Sequence, residues 1–188
     1  TAVALLYSVL SKHTKALDYY IPDRYTEGYG ISYAGIDFAK EHDFSLIISL
    51  DCGIRSVEHV QYAKDLGVDF IICDHHNPGD IVPNCIVLDP KQIDCSYPFK
   101  ELSGCGVGFK LLEAVYQKKA WDKQDLLENL DLLAVSIGAD IVAVTGENRI
   151  LCSYGMTLLN ERPRPAFQEL LKIAKRDFPV SLTDVVFT

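Results

Sequence analysis

Three side chains able to bind metal or move protons stand together at Asp74, His75 and His76, in the stretch "FIICDHHNPGDIVPN". The strand-forming residues Phe70 to Cys73 run directly into them. A carboxylate and two imidazoles suit the mouth of a site, not the interior of a buried strand. Asp51 ends a second apolar run in the same way, in "LIISLDCGI". Asp140 lies in "SIGADIVAVTGENR", between two apolar helical stretches, where a lone carboxylate is costly unless it is paired or bound to a cation. Carboxylate plus imidazole is the ligand mix for Mn²⁺, Mg²⁺ or Zn²⁺. No CxxC pair accompanies it, which argues against a thiolate-bound structural zinc. Such ions activate water near neutral pH, and a pair of them clamps the attacking and leaving oxygens of a phosphoryl displacement. Taken singly, each residue has a plainer reading. Asp51 could cap the next helix, Asp140 could be a solvated acid at a helix end, and the histidines could be hydrogen-bonded loop residues.

The elements that must position these residues are legible in the hydrophobic pattern. Residues 2–12 read as a helix, 15–22 ("KALDYYIP") as a short strand closed by Pro22, and 23–30 as a loop with two glycines. A helix follows over 32–42. The runs 44–50 and 68–73 are continuous and apolar, as in central parallel strands covered on both faces. Between them Ser56 starts a helix over 56–66 that Gly67 stops. A further strand spans 85–89. Strands alternating with helices predict an α/β fold, a parallel sheet flanked by helices. Its ligands should collect at the carboxyl ends of the strands, which puts Asp51 and His75 on one rim if their strands are neighbours. The rest of the chain reads as helices over 106–121, 123–144, 148–161 and 165–176, a helical C-terminal layer. No repeat, low-complexity tract or linker divides it. One domain over 1–188 is expected, with an α/β part of about 1–90 and a helical part of about 103–176.

The bulk composition bounds the function. With 188 residues and 48% hydrophobic content, the chain can bury a real core. No apolar run approaches the roughly 18 residues that span a bilayer, so no membrane partner is expected. The opening "TAVALLYSVL" lacks the basic start and cleavage site of a signal peptide and reads as an amphipathic helix. Six cysteines without disulfide-scaffold spacing fit reduced thiols in a cytoplasmic protein. Cys52 and Cys73 read as small buried apolar residues. The net charge of −8 excludes a general nucleic-acid glue. It does not exclude a metal enzyme acting on phosphates, where bound cations reverse the local sign.

At this point the chain resembles a known family. "DHH" after an apolar strand is the name-giving motif of the DHH phosphoesterases, and Asp51 in "SLDCGI" matches their second acidic motif. "YYIPDRYTEGYGIS" (19–32), "LSGCGVGFKLLEA" (102–114) and "DIVAVTGENRIL" (140–151) are similar to stretches of the RecJ-type single-strand-specific exonucleases. Five blocks in this order cover nearly the whole chain. The resemblance implies a 5′-to-3′ single-stranded DNA exonuclease that uses two Mn²⁺ or Mg²⁺ ions in repair or recombination. Asp51 would bridge the metals, His75 and Asp140 would complete one of them, His76 would contact or protonate the phosphate, and Asp74 would orient the histidines as part of the catalytic group. Arg24 and Tyr25 would face the nucleic acid. Ser103 and Gly104 begin a turn that would cradle phosphate, against the plainer reading of turn chemistry alone. Arg149 would take a phosphate or pair with an acid such as Glu147.

The family's first motif, an Asp-x-Asp-Gly element, would precede Thr1, and its substrate-gripping second domain would follow Thr188. The expectation is therefore a phosphoesterase domain truncated at both ends, its second metal site incomplete, with at most trace activity by itself. Within the same superfamily, hydrolysis of short oligonucleotides, cyclic dinucleotides or pyrophosphate is the alternative. From another class, a non-catalytic scaffold for a repair or replication protein is the rival.

Overall fold

Residues 1–186 are described in the computed structural model. The chain opens with α1 (Ala2–Leu10), then crosses a long irregular segment to α2 (Tyr33–Glu41). Next come β1 (Leu46–Leu50), α3 (Val57–Asp65), β2 (Asp69–Cys73) and β3 (Ile86–Leu88). The helical part holds α4 (Gly104–Lys119), α5 (Gln124–Leu127), α6 (Leu130–Ala139), α7 (Gly146–Glu161), α8 (Pro165–Ile173) and α9 (Leu182–Val186). The three strands form a parallel sheet in the order β1-β2-β3, with Leu50 level with Cys73 and Cys73 level with Leu88. This is the α/β fold expected: a parallel sheet flanked by helices, followed by a helical layer.

Three cores explain the apolar runs, the smallest being Cys73, Leu102 and Val107. On one face of the sheet, Ile36 and Ala39 of α2 and Val60 and Ala63 of α3 pack with Phe70 and Ile72 of β2. Behind the other face lies the larger core, where Leu5 and Val9 of α1 meet Phe109, Leu112 and Tyr116 of α4 and Leu133 and Ile137 of α6. Burying such side chains is worth about 1.5–3 kcal/mol each. The sheet is thus held from both sides, and its carboxyl edge faces the start of α4.

Four details differ from the sequence pattern. The run 44–50 is an edge strand of the described sheet, not a central one; β2 alone is central. Residues 15–22 form no strand. They are held by aromatic contacts, Tyr19 edge-on to Tyr7 at 5.3 Å and Tyr20 beside Phe38 at 5.4 Å, not by a ladder. The helix expected over 123–144 breaks into α5 and α6 at Asn129, whose side chain donates to Asp125 O and accepts from Arg164. It then stops at Ala139, and Ile141 turns into the left-handed region at φ 54°. Finally, α9 had no counterpart in the pattern. A capping box marks it, with Asp184 accepting from Ser181 N and Ser181 Oγ accepting from Asp184 N. Among the described residues no helix is long and apolar enough to cross a membrane.

Candidate metal centre

The parallel register carries three acids to one rim. Asp51 follows β1 and donates its N–H to Cys73 O at 2.8 Å; Asp74 follows β2 and donates its N–H to Leu88 O at 3.0 Å. Asp89 follows β3. The chain must turn sharply after Asp51. Asp51 itself takes φ 62°, a left-handed conformation that Asp tolerates better than most residues. Gly53 follows at φ 113°, where a Cβ would also strike Ile31 at 2.9 Å. Left-handed non-glycine residues cost on the order of 1–3 kcal/mol and cluster at functional sites.

His75 is the centre of the arrangement. It is buried, and its Nδ1 lies 3.0 Å from Leu102 O. A carbonyl only accepts, so Nδ1 carries the proton and a neutral ring leaves a lone pair on Nε2. That lone pair faces Asp51 Oδ1 at 3.2 Å and Asp140 Oδ2 at 3.3 Å. The distances are ion-pair distances, but the angles are not those of hydrogen bonds: His75 Nε2 and Asp51 Oδ1 are buried and have no hydrogen-bond partner. Three electron-pair donors aimed at one another repel unless a proton or a cation lies between them. Burial pushes the His75 pKa down, but the two carboxylates outweigh it and hold it above its ordinary value. His76 extends the group, since one of its ring nitrogens lies within 4.8 Å of ligand atoms of Asp51 and His75.

The helical layer closes the site from above. Asp140 caps the end of α6, and Gly104 N at the start of α4 donates to its Oδ2 at 3.2 Å. The positive end of the α4 dipole thus meets a carboxylate. Gly104 has no room for a side chain; a Cβ there would collide with the Asp51 carboxylate. Ser103 is fully buried, and its Oγ caps α4 by accepting from Gly106 N at 3.0 Å. The turn at Ser103 and Gly104 is therefore filled by the protein's own groups. It positions Asp51 and Asp140, where the sequence suggested an open phosphate cradle.

Asp74 is 1% exposed. Its Oδ2 accepts from Ile54 N at 2.9 Å, and its Oδ1 accepts from His75 N at 2.7 Å, His76 N at 3.3 Å and His76 Nδ1 at 2.7 Å. Burial alone would raise its pKa, but these donors hold the carboxyl below the usual carboxylate range. All of these bonds tie Asp74 to the two histidines and to the turn after β1. The bond from Nδ1 leaves Nε2 as the open nitrogen of His76, whose side chain is 46% exposed.

The other expected residues are scattered. Arg24 is exposed and lies over the Tyr29 ring at 5.5 Å. Tyr29 in turn donates its hydroxyl to Asp51 O at 3.3 Å, so it adjoins the site. Tyr25 is 98% exposed and makes no side-chain contact there. The glycines flanking Tyr29, both at positive φ, were the signal that its ring is held out on a turn. Arg149 is exposed and forms no ion pair among the described residues; Glu147 is occupied by Lys110 and Tyr97. Asp89 was missed, although "CIVLD" ends in an acid as the other two strands do. It is buried, burial pushes its pKa up, and its Oδ2 has no partner. Cys73 is buried and Cys52, expected buried, is half-buried; burial pushes both thiols up to about 12, and all six cysteines are free.

Comparison with known proteins shows the family and the fold. The model of the DHH family, N-terminal domain, matches residues 1–137. The chain is 41% identical over 178 residues to the single-stranded-DNA-specific exonuclease RecJ of Bacillus subtilis, covering 94% of this chain and 22% of that protein. It is 36% identical over 188 residues to the RecJ of Escherichia coli, covering 94% of this chain and 32% of that protein. It thus spans less than a third of these relatives. Among solved structures it is similar to exonuclease RecJ bound to manganese, with a TM-score of 0.84 and 29% identity over 99% of this chain and 46% of the other. A second is RecJ in complex with Mn²⁺ from Thermus thermophilus, with a TM-score of 0.78 and 25% identity over 99% of this chain and 26% of the other.

Proposed function

Since the chain belongs to the DHH family, we propose that residues 1–188 form the metal-binding phosphodiesterase domain of a 5′-to-3′ single-stranded DNA exonuclease, acting in the cytoplasm in DNA repair or recombination. The observation that carries this reading is the unpartnered lone pair of His75 Nε2 between Asp51 and Asp140. Two carboxylate oxygens and one imidazole nitrogen are the donors a divalent Mn²⁺ or Mg²⁺ takes, and the solved relatives described as manganese-bound favour Mn²⁺. When bound, the ion supplies Lewis acidity toward water and phosphate. Among the described residues the group of ligand atoms that all lie within 4.8 Å of one another is that of Asp51, His75 and His76, with Asp140 reaching His75 Nε2 from the other side.

The chain's own residues divide the remaining work. Leu102 O fixes the tautomer of His75, and Gly104 N together with the α4 dipole holds the Asp140 carboxylate in place. Asp74 locks His76 through Nδ1, so that Nε2 is turned toward the substrate phosphate as hydrogen-bond donor or proton carrier. Arg24, Tyr29 and Arg149 are exposed side chains for the strand beyond the reacting phosphate. The relatives' exonuclease descriptions favour this reading over cyclic-dinucleotide or pyrophosphate hydrolysis and over a non-catalytic scaffold.

The test is a Mn²⁺ titration by calorimetry, together with a time course on 5′- and 3′-labelled oligonucleotides using the intact protein that contains this chain. Stoichiometric binding and loss of nucleotides from the 5′ end are expected, both lost in Asp51→Ala and His75→Ala. A wild type that binds no Mn²⁺, or variants that bind and cleave as well as wild type, would overturn the proposal.

A further inference from the structure

The rim gathers Asp51, Asp74, Asp89 and Asp140, and the chain carries a net charge of −8. A polyanionic strand approaching it meets a repulsive field unless fixed cations stand nearby. Several of the chain's cations are spent within the protein. Lys110 is paired with Glu113 and Glu147, Arg164 with Asp131, and Lys12 with Asp125 and Glu128. Arg55 is not. It is exposed, and no carboxylate lies within ion-pair distance among the described residues.

Its placement is nonetheless fixed. Arg55 follows Ile54, whose N–H is held by Asp74 Oδ2. Its own Nε donates to Asn77 O at 2.9 Å. Asn77 follows His76, whose ring lies 4.6 Å from that of His75. The side chain thus ties the turn after β1 to the turn after β2, on the His76 side of the site. An arginine has five N–H donors in a planar fork, and only Nε is engaged. A neutral carbonyl holds the fork without neutralising it, and both Nη groups are left without a partner among the described residues.

From this placement we infer that Arg55 binds a backbone phosphate of the single strand, next to the phosphate being hydrolysed. The assignment rests on the nuclease reading and adds a substrate contact to it. The carbonyl of Asn77 pre-orients the guanidinium, so that little rotamer freedom is lost when a phosphate oxygen is taken by the Nη pair.

The experiment is fluorescence anisotropy of a labelled phosphorothioate oligothymidylate, with Mn²⁺, over a range of NaCl concentrations. It compares wild type, Arg55→Gln, Arg55→Lys and a control, Lys118→Gln, at the far end of α4. Gln keeps a donor for Asn77 O but loses the charge. Arg55→Gln should weaken binding about tenfold at low salt. It should also reduce the slope of log affinity against log salt by about 0.7, the value for one phosphate on a single strand. Arg55→Lys should restore most of that slope, and Lys118→Gln should leave both quantities unchanged. A thermal melt run beside each titration reads any loss of fold. An Arg55→Gln protein with the wild-type slope, or one whose weaker binding only follows a lower Tm, assigns Arg55 to the loop tie alone and overturns the inference. A wild type that binds no oligonucleotide overturns the nuclease reading, and this contact with it.

Discussion

Two acids at opposite ends of one helix, Asp131 buried and Asp140 half-buried, have opposite surroundings. Asp131, in the first turn of α6, is saturated. Its carboxylate accepts from Arg164 Nε and Nη2 and from Leu132 N, and Arg164 Nη2 also reaches Asn129 Oδ1 at 2.8 Å. Asp140, at the other end of the same helix, faces the histidine lone pair that Asp51 also faces. One cluster supplies its own cation and is finished on folding. The other is a set of donors with no cation of its own. Charge balance within the protein marks structure, and its absence around a buried histidine marks a place where something from outside completes the chemistry.

The comparison can be broken or sharpened in four ways. The largest effect should come from opening the closed cluster. Arg164→Met leaves Asp131 buried and unpaired, which should cost about 3 kcal/mol in chemical denaturation while Mn²⁺ affinity per folded molecule stays unchanged. A variant that folds normally but loses metal would erase the distinction. Next come Asp51→Ala and His75→Ala, expected to slow hydrolysis of labelled single-stranded DNA by on the order of 10²-fold or more, and to lose the rise in Tm that Mn²⁺ gives the wild type.

Third, Asp74→Asn should destabilise by about 2 kcal/mol, because an amide cannot accept from all four of the donors that Asp74 satisfies. Its pH dependence has a definite sign. The folded pKa is depressed below 3.8, so the wild-type carboxylate contributes stability above that value and loses it as the pH falls through the folded pKa. Denaturation in acid should show a gap between wild type and variant that narrows as the pH falls through that range. A gap independent of pH would show that the ionised form is not what matters. The smallest effect should be a gain. Asp140→Asn removes one of the two carboxylates that face the His75 lone pair, so the metal-free chain should become more stable by about 0.5–1 kcal/mol, read as a higher Tm in chelator. A lower Tm would mean that Asp140 is already satisfied by Gly104 and the α4 dipole.

The sheet and its rim were legible because the signal is local. An apolar run ending in Asp or in Asp-His-His states both the strand and the place where it leaves the core, and the parallel register then puts Asp51 beside His75. Asp140 was legible for the converse reason, as a carboxylate in apolar surroundings. What stayed hidden depends on distant partners. The break at Asn129 is made by Arg164, and the segment 15–22 is held by rings from Tyr7 and Phe38 where a ladder was expected. The turn at Ser103 reads as a phosphate cradle until Asp140 is seen to occupy it. Tyr29 was passed over for Tyr25 because only the fold shows which ring turns toward Asp51.

The separate origin of the three donors has a thermodynamic consequence. Asp51 and His75 belong to turns of the sheet, while Asp140 belongs to α6, whose apolar face lies in the helical core. An ion shared by all three is a cross-link between the two layers. If these residues hold the ion as proposed, its free concentration would set the stability of both, by about 1.4 kcal/mol for each tenfold excess over the dissociation constant. Chelation would be felt far from any ligand, as faster hydrogen exchange at the amides of α4 and α6.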